Sequence, residues 1–145
     1  MSVRSAQQSK RNNMEINLLS QLLAAASTLV VGFVYYNPKV MGGVWMRSIG
    51  LTPDPNMTPN MGKLLGFSFL LAFIATFPLN YMVNHDNHTF GHGALHGGEI
   101  GLLILLPVFG TNALYEGRSW TYVFVISGYW TLSFALMGGI LRIMQ

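Results

Sequence analysis

Residues 94–144 read ALHGGEIGLLILLPVFGTNALYEGRSWTYVFVISGYWTLSFALMGGILRIM, and this stretch decides the fold. It contains two apolar runs, 94–115 and 122–144, separated by the short polar connection 116–121. Each run is close to the ~20 residues that a helix rising ~1.5 Å per residue needs to cross a hydrocarbon core of about 30 Å. Lipid offers the backbone no hydrogen bonds, so runs of this length must be helices that satisfy their own. Membrane β-strands are about half as long and alternate in polarity, which nothing here does. The connection is too short for anything but a tight turn, so the two runs form an antiparallel helical hairpin. Their charges are Glu99 near the start of the first and Arg142 near the end of the second.

Two further apolar runs, 16–36 and 64–83, carry no charge at all. The expectation is therefore an all-α membrane protein with four transmembrane helices in an antiparallel bundle. Composition agrees. Charged residues make up 9% of the 145, against about 25% in a soluble domain, and mean hydropathy is +0.41. The absence of cysteine excludes a disulfide framework, a thiol nucleophile and Cys-ligated metal. The net charge of +3 rests on eight scattered Lys and Arg residues, which is no nucleic-acid footprint.

Residues 1–13 are polar and read as a disordered extension, leaving 14–145 as the transmembrane domain. The first apolar run is long for a signal-peptide core and lacks a small-residue cleavage site, so it reads as a retained span. Met14 is an alternative start. In the first loop, Trp45, Met46, Ile49 and Leu51 make 40–49 amphipathic, which predicts a short interfacial helix with Trp45 at headgroup level. Pro53, Pro55 and Pro59 follow it. Pro78 and Pro107 fall inside the second and third spans and predict kinks. Four spans put both termini on one side. Basic residues do not say which side, because Arg4, Lys10, Arg11 and Arg142 balance Lys39, Arg47, Lys63 and Arg118.

Five pieces of this sequence, in order, resemble a known family. Tyr115-Glu116-Gly117-Arg118-Ser119-Trp120 resembles an FEGRSW-like hallmark. Ser127-Gly128-Tyr129-Trp130 resembles an AGYW-like step, and Met137-Gly138-Gly139-Ile140-Leu141 an MGAIL-like end. Gly32-Phe33-Val34-Tyr35-Tyr36-Asn37-Pro38 is similar to GFLWYSP. Trp45-Met46-Arg47 with Gly50-Leu51-Thr52 is similar to a W-M-K…G-L-T stretch. The family is the bacterial domain of unknown function 1761, whose members look like small four-helix integral membrane proteins. The resemblance implies a fold and a place in the bacterial inner (plasma) membrane, multi-pass, and no activity. The polar N-terminal extension and a histidine cluster depart from the pattern.

Candidate sites follow from residue type and spacing. The four histidines, His85, His88, His92 and His96, fall close together. On a helix, His88, His92, His96 and Glu99 would share one face, and imidazoles with a carboxylate suit a divalent metal. Gly91, Gly93, Gly97 and Gly98 weaken the helix assumption, and a solvated polar loop is the simpler reading. Glu99 is the acid inside a span, expected about a turn from its start, where it marks an ion or proton path or pairs with a histidine at the interface. Gly93, Gly97 and Gly101 recur every four residues, as do Gly62 and Gly66. Such stripes let a second helix approach closely, within the chain or between chains. Glu116, Gly117, Arg118 and Trp120 form a corner whose role reads as structural.

No catalytic Ser-His-Asp order, phosphate loop, dinucleotide fingerprint or zinc-protease motif is present, so neither an enzyme nor a cofactor is expected. The function expected is helix–helix association in the bilayer, as a homo-oligomer or an accessory subunit of another membrane protein. The alternative is a small-solute, proton or metal-ion transporter with Glu99 and the histidine loop at its mouth.

Overall fold

The computed structural model describes residues 17–52, 60–83 and 89–144. The 1–13 extension, His85 and His88 lie outside the described residues. Every regular element described is helical. In chain order they are α1 (Leu18–Tyr35), α2 (Gly43–Ser48), α3 (Met61–Val83), α4 (Phe90–Ile100), α5 (Leu106–Glu116) and α6 (Trp120–Ile143). A π-helical turn, Pro38–Gly42, leads into α2, and another, Gly101–Leu105, joins α4 to α5. Four helices are long and apolar enough to cross a membrane: Leu18–Tyr35, Met61–Val83, Phe90–Glu116 and Trp120–Ile143.

Local chemistry sets the ends. Asn17 caps α1 by accepting from the amides of Leu19 (3.1 Å) and Ser20 (3.4 Å). Its own amide donates to the Met144 carbonyl at 3.2 Å, tying the start of α1 to the end of α6. Ser119 caps α6 by accepting from the Tyr122 amide at 3.2 Å. α5 stops at Gly117, which adopts the left-handed conformation (φ 66°, ψ 27°), and the next amide, Arg118, returns to the Ala113 carbonyl at 2.8 Å. That is the glycine-closed helix end expected where a Cβ would be strained.

α6 is the axis of the bundle. It packs most extensively on α4, then on α1, and more lightly on α5, α3 and α2. Its most apolar stretch is 39% buried, against 17% for α3, which leans on the bundle's edge. The core gathers Ala24, Leu79, Val83, Phe134, Met137 and Leu141, with Trp130 and Ile140 packed against it. Lipid tails are as apolar as these side chains, so close packing rather than exclusion of water holds them together.

Three expectations need adjusting. The third span starts at Phe90 rather than 94, because Thr89 caps it by accepting from the His92 amide at 3.4 Å. Gly91, Gly93, Gly97 and Gly98 therefore lie inside a helix despite a cost of up to ~1 kcal/mol each relative to alanine. At Pro107, where a kink was expected, the helical run continues across the proline. The wider π turn just before it absorbs the missing N–H and the ring's clash with the preceding turn. The first-loop helix forms as two short pieces, and Trp45 stacks edge-on against Tyr36 at 5.4 Å.

Candidate functional site

α4 carries two faces of different chemistry. The inward face is the glycine stripe. A Cβ added at Gly93 would overlap the carbonyl of Gly138, and one at Gly97 the carbonyl of Phe134. At Gly101 it would come within 2.6 Å of the Thr131 Cα, and Gly138 in turn faces the Gly93 carbonyl. The backbones of α4 and α6 are therefore in direct contact along this seam, at a separation that only glycine permits.

The outward face carries His92, His96 and Glu99. The His96 Nδ1 lies 3.1 Å from the Glu99 Oε2, with side-chain exposures of 31% and 61%. The His92 and His96 rings stand edge to face at 4.9 Å. Among the described residues no group of three or more His, Asp or Glu side chains is placed to hold a metal ion. His88, the remaining residue expected in that group, lies outside the described residues.

The seam fixes the height of this face along the helix pair. Gly101 meets α6 at Thr131, the midpoint of Trp120–Ile143. Glu99, two residues away, therefore lies ~3 Å along the axis from the middle of α6. Counting from the middle of Phe90–Glu116 instead gives about 6 Å. The expectation of a Glu about a turn inside the span is thus corrected. Starting the helix at Phe90 moves Glu99 to its interior.

Gly62 and Gly66 share the spacing of the seam but not its surroundings. Nothing lies within 4 Å of a Cβ at Gly66, and the nearest atom at Gly62 is the Asn60 Oδ1 at 3.6 Å. Residues 61–68 are all exposed. The corner residues close α5 and open α6. The Arg118 Nε lies 3.4 Å from the Glu116 Oε2, both side chains are largely exposed, and the guanidinium sits 5.7 Å from the centre of the Tyr122 ring. Trp120 packs toward Gly110. An exposed pair of this kind contributes about 0–1 kcal/mol.

The structure buries a set of polar side chains, Ser20, Gln21, Thr28, Thr76, Ser127, Ser133 and Arg142, of which sequence reasoning missed Ser20, Gln21, Thr28, Thr76 and Ser133. Gln21 and Thr76 are hydrogen-bonded between α1 and α3. Thr76 also gives its hydroxyl hydrogen to the Phe73 carbonyl at 2.6 Å. The Thr76 hydroxyl therefore has two acceptors within reach, the Gln21 Oε1 and the Phe73 carbonyl, and one hydrogen to share between them. The signal was visible as a glutamine in an uncharged apolar run. Arg142, 1% exposed, was read only as a charge near a helix end; its Cβ in fact abuts Gly93.

The family model described as a protein of unknown function, DUF1761, matches residues 19–142. The chain belongs to the DUF1761 family. No curated protein and no solved structure matches it. The stretches of this DUF1761 chain that resemble the family map onto helix contacts. Gly138 faces Gly93, Gly139 faces the Phe90 ring, and a Cβ at Gly128 would lie 2.6 Å from the Tyr35 hydroxyl. That hydroxyl donates to the Val125 carbonyl at 2.9 Å, and the Tyr129 hydroxyl to the Thr28 carbonyl at 3.3 Å. The corner is the closed helix end at Gly117. These stretches join α1 and α4 to α6.

Proposed function

We propose that this DUF1761 protein is a non-enzymatic component of the bacterial inner membrane that works by helix–helix association, as a homo-oligomer or an accessory subunit. One observation carries the reading. The His96–Glu99 pair lies on an exposed side of a helix long and apolar enough to cross a membrane, and an ionised carboxylate facing lipid costs up to about 2.5–3.5 kcal/mol at the bilayer centre. Such a face calls for a protein neighbour. The open glycines Gly62 and Gly66 on α3 give a second helix room to approach. The experiment is to label the protein singly, reconstitute it sparsely in lipid and count photobleaching steps. Two or more steps per spot support association of copies. Single steps at every density contradict it.

The same pair favours a second reading, a transporter of protons, metal ions or small solutes. In a single copy Glu99 lies outside the bundle rather than in its interior, so any path past it would run between copies. Liposome flux that is lost in Glu99→Gln, with the copy number unchanged, would put this reading first.

A further inference from the structure

We infer that this chain has no fixed orientation and inserts both ways round, so that one membrane holds copies inverted relative to each other. The inference does not rest on the association reading above. It concerns how each copy lies in the bilayer, and it adds inverted copies to the partners that reading allows. The structure first sorts the chain into two ends. The Asn17 amide donates to the Met144 carbonyl at 3.2 Å, holding the start of α1 against the end of α6. Gln21, early in α1, meets Thr76, late in α3. A Cβ at Gly93, early in α4, would lie 2.6 Å from the Arg142 Cβ, late in α6. The end of α3 and the start of α4 therefore belong to that first end. At the second end the Tyr35 hydroxyl, closing α1, donates to the Val125 carbonyl early in α6. α2 turns back there, packing on α6 and setting Trp45 against Tyr36. The start of α3 and the corner between α5 and α6 lie at this second end.

Basic charge divides evenly between the two ends. Arg142 belongs to the first, as do Arg4, Lys10 and Arg11, which precede α1 in sequence. Lys39, Arg47, Lys63 and Arg118 belong to the second. Acids, which count for little in orientation, divide evenly too: Glu15 and Asp86 fall in segments that join the first end, Asp54 and Glu116 in segments that join the second, and Glu99 inside α4. All eight basic residues lie within 14 positions of the end of a spanning helix. That is inside the ~15–20 residues over which Lys and Arg act on orientation. The more basic end stays in the cytoplasm because moving it across is disfavoured. Here neither end is the more basic, so the two orientations are formed in comparable amounts. The balance is also easily tipped, because Lys39, Arg47, Lys63 and Arg118 are all exposed and none is fixed by the core.

The test uses the full chain in right-side-out membrane vesicles, where an impermeant maleimide reaches only thiols on the outer face. The protein has no cysteine, so each single-cysteine variant reports alone. Ser5→Cys marks the first end, and Leu51→Cys, at an exposed position, marks the second. Both variants should label in part, with fractions that add to the whole and neither below about a tenth. Charge substitutions should then move the fractions in opposite directions. Lys39→Ala with Arg47→Ala leaves the first end more basic, and labelling should shift to Leu51→Cys. Lys10→Ala with Arg11→Ala leaves the second end more basic, and labelling should shift to Ser5→Cys. Each shift should change the ratio of orientations by at least about tenfold. The readout is a ratio within the inserted protein, so a change in yield does not enter it. Complete labelling of one cysteine and none of the other would overturn the inference. So would fractions that stay the same in both charge variants. Neither result alters the photobleaching count, which tests association separately.

Discussion

The α4–α6 seam and the open end of α3 present the same sequence pattern with opposite outcomes. Gly93, Gly97 and Gly101 are spaced by four, and each meets backbone of α6. Gly62 and Gly66 have that spacing and meet no other helix among the described residues. The spacing says only that a groove exists. Occupancy is decided by what stands opposite. Gly138 faces Gly93 across the seam, and both helices drop their side chains at one level, so the backbones touch. α3 runs out past its neighbours instead, and its first two turns are exposed.

Substitution separates the two regions, beginning with the largest effect. Gly97→Leu has no room against the Phe134 carbonyl, and its side chain must force α4 from α6. Thermal unfolding in detergent should show a loss of about 1–3 kcal/mol or more, the range for overpacking a tight interior. Gly66→Leu should leave the unfolding of the single chain unchanged within about 0.5 kcal/mol. Equal losses would mean that α3 is also packed within the chain.

The next effect is smaller and lies where α3 does touch its neighbour. Thr76→Val removes the hydroxyl that partners Gln21 and leaves a buried amide with fewer bonds. The expected loss is about 1–2 kcal/mol by the same unfolding assay. Gln21→Leu in the Thr76→Val background should recover most of it, because the orphaned group is gone. Failure to recover would show that Gln21 holds α1 by other means. The smallest effect is at the corner, where Glu116→Ala should change stability by less than about 0.5 kcal/mol, as for other exposed ion pairs.

Much of the fold was legible because lipid leaves few options. Runs of apolar residues near ~20 long must be helices, and the short connection 116–121 must reverse the chain. The family was legible from Glu116-Gly117-Arg118 and from Gly138-Gly139, where Gly117 holds a positive φ and Gly138 meets backbone of α4. The position of Glu99 within its helix was not legible, because counting apolar letters starts the third span at 94. The cap at Thr89 starts it earlier, and a cap is a geometric event that hydropathy does not register. Nor was the direction of the glycine stripe legible, because spacing along one helix contains no information about the helix opposite. Gln21 was visible and passed over. A single amide in an uncharged run is easily read as tolerated polarity, and only its burial beside Thr76 shows that it binds two helices together.

The central claim is that α4 packs its glycine face on α6 of its own chain, leaving its histidine–glutamate face outward. A disulfide measures this directly. A Cβ at Gly98 would lie 3.6 Å from the Ala135 Cβ, within the roughly 3.5–4.5 Å that a disulfide spans. The double variant Gly98→Cys/Ala135→Cys, oxidised in membranes, should therefore run as a monomer with both thiols blocked to labelling, and protease cut between the two helices should leave the fragments joined until reduction. Labelled free thiols, or a bridge that joins two chains instead of closing one, would contradict it.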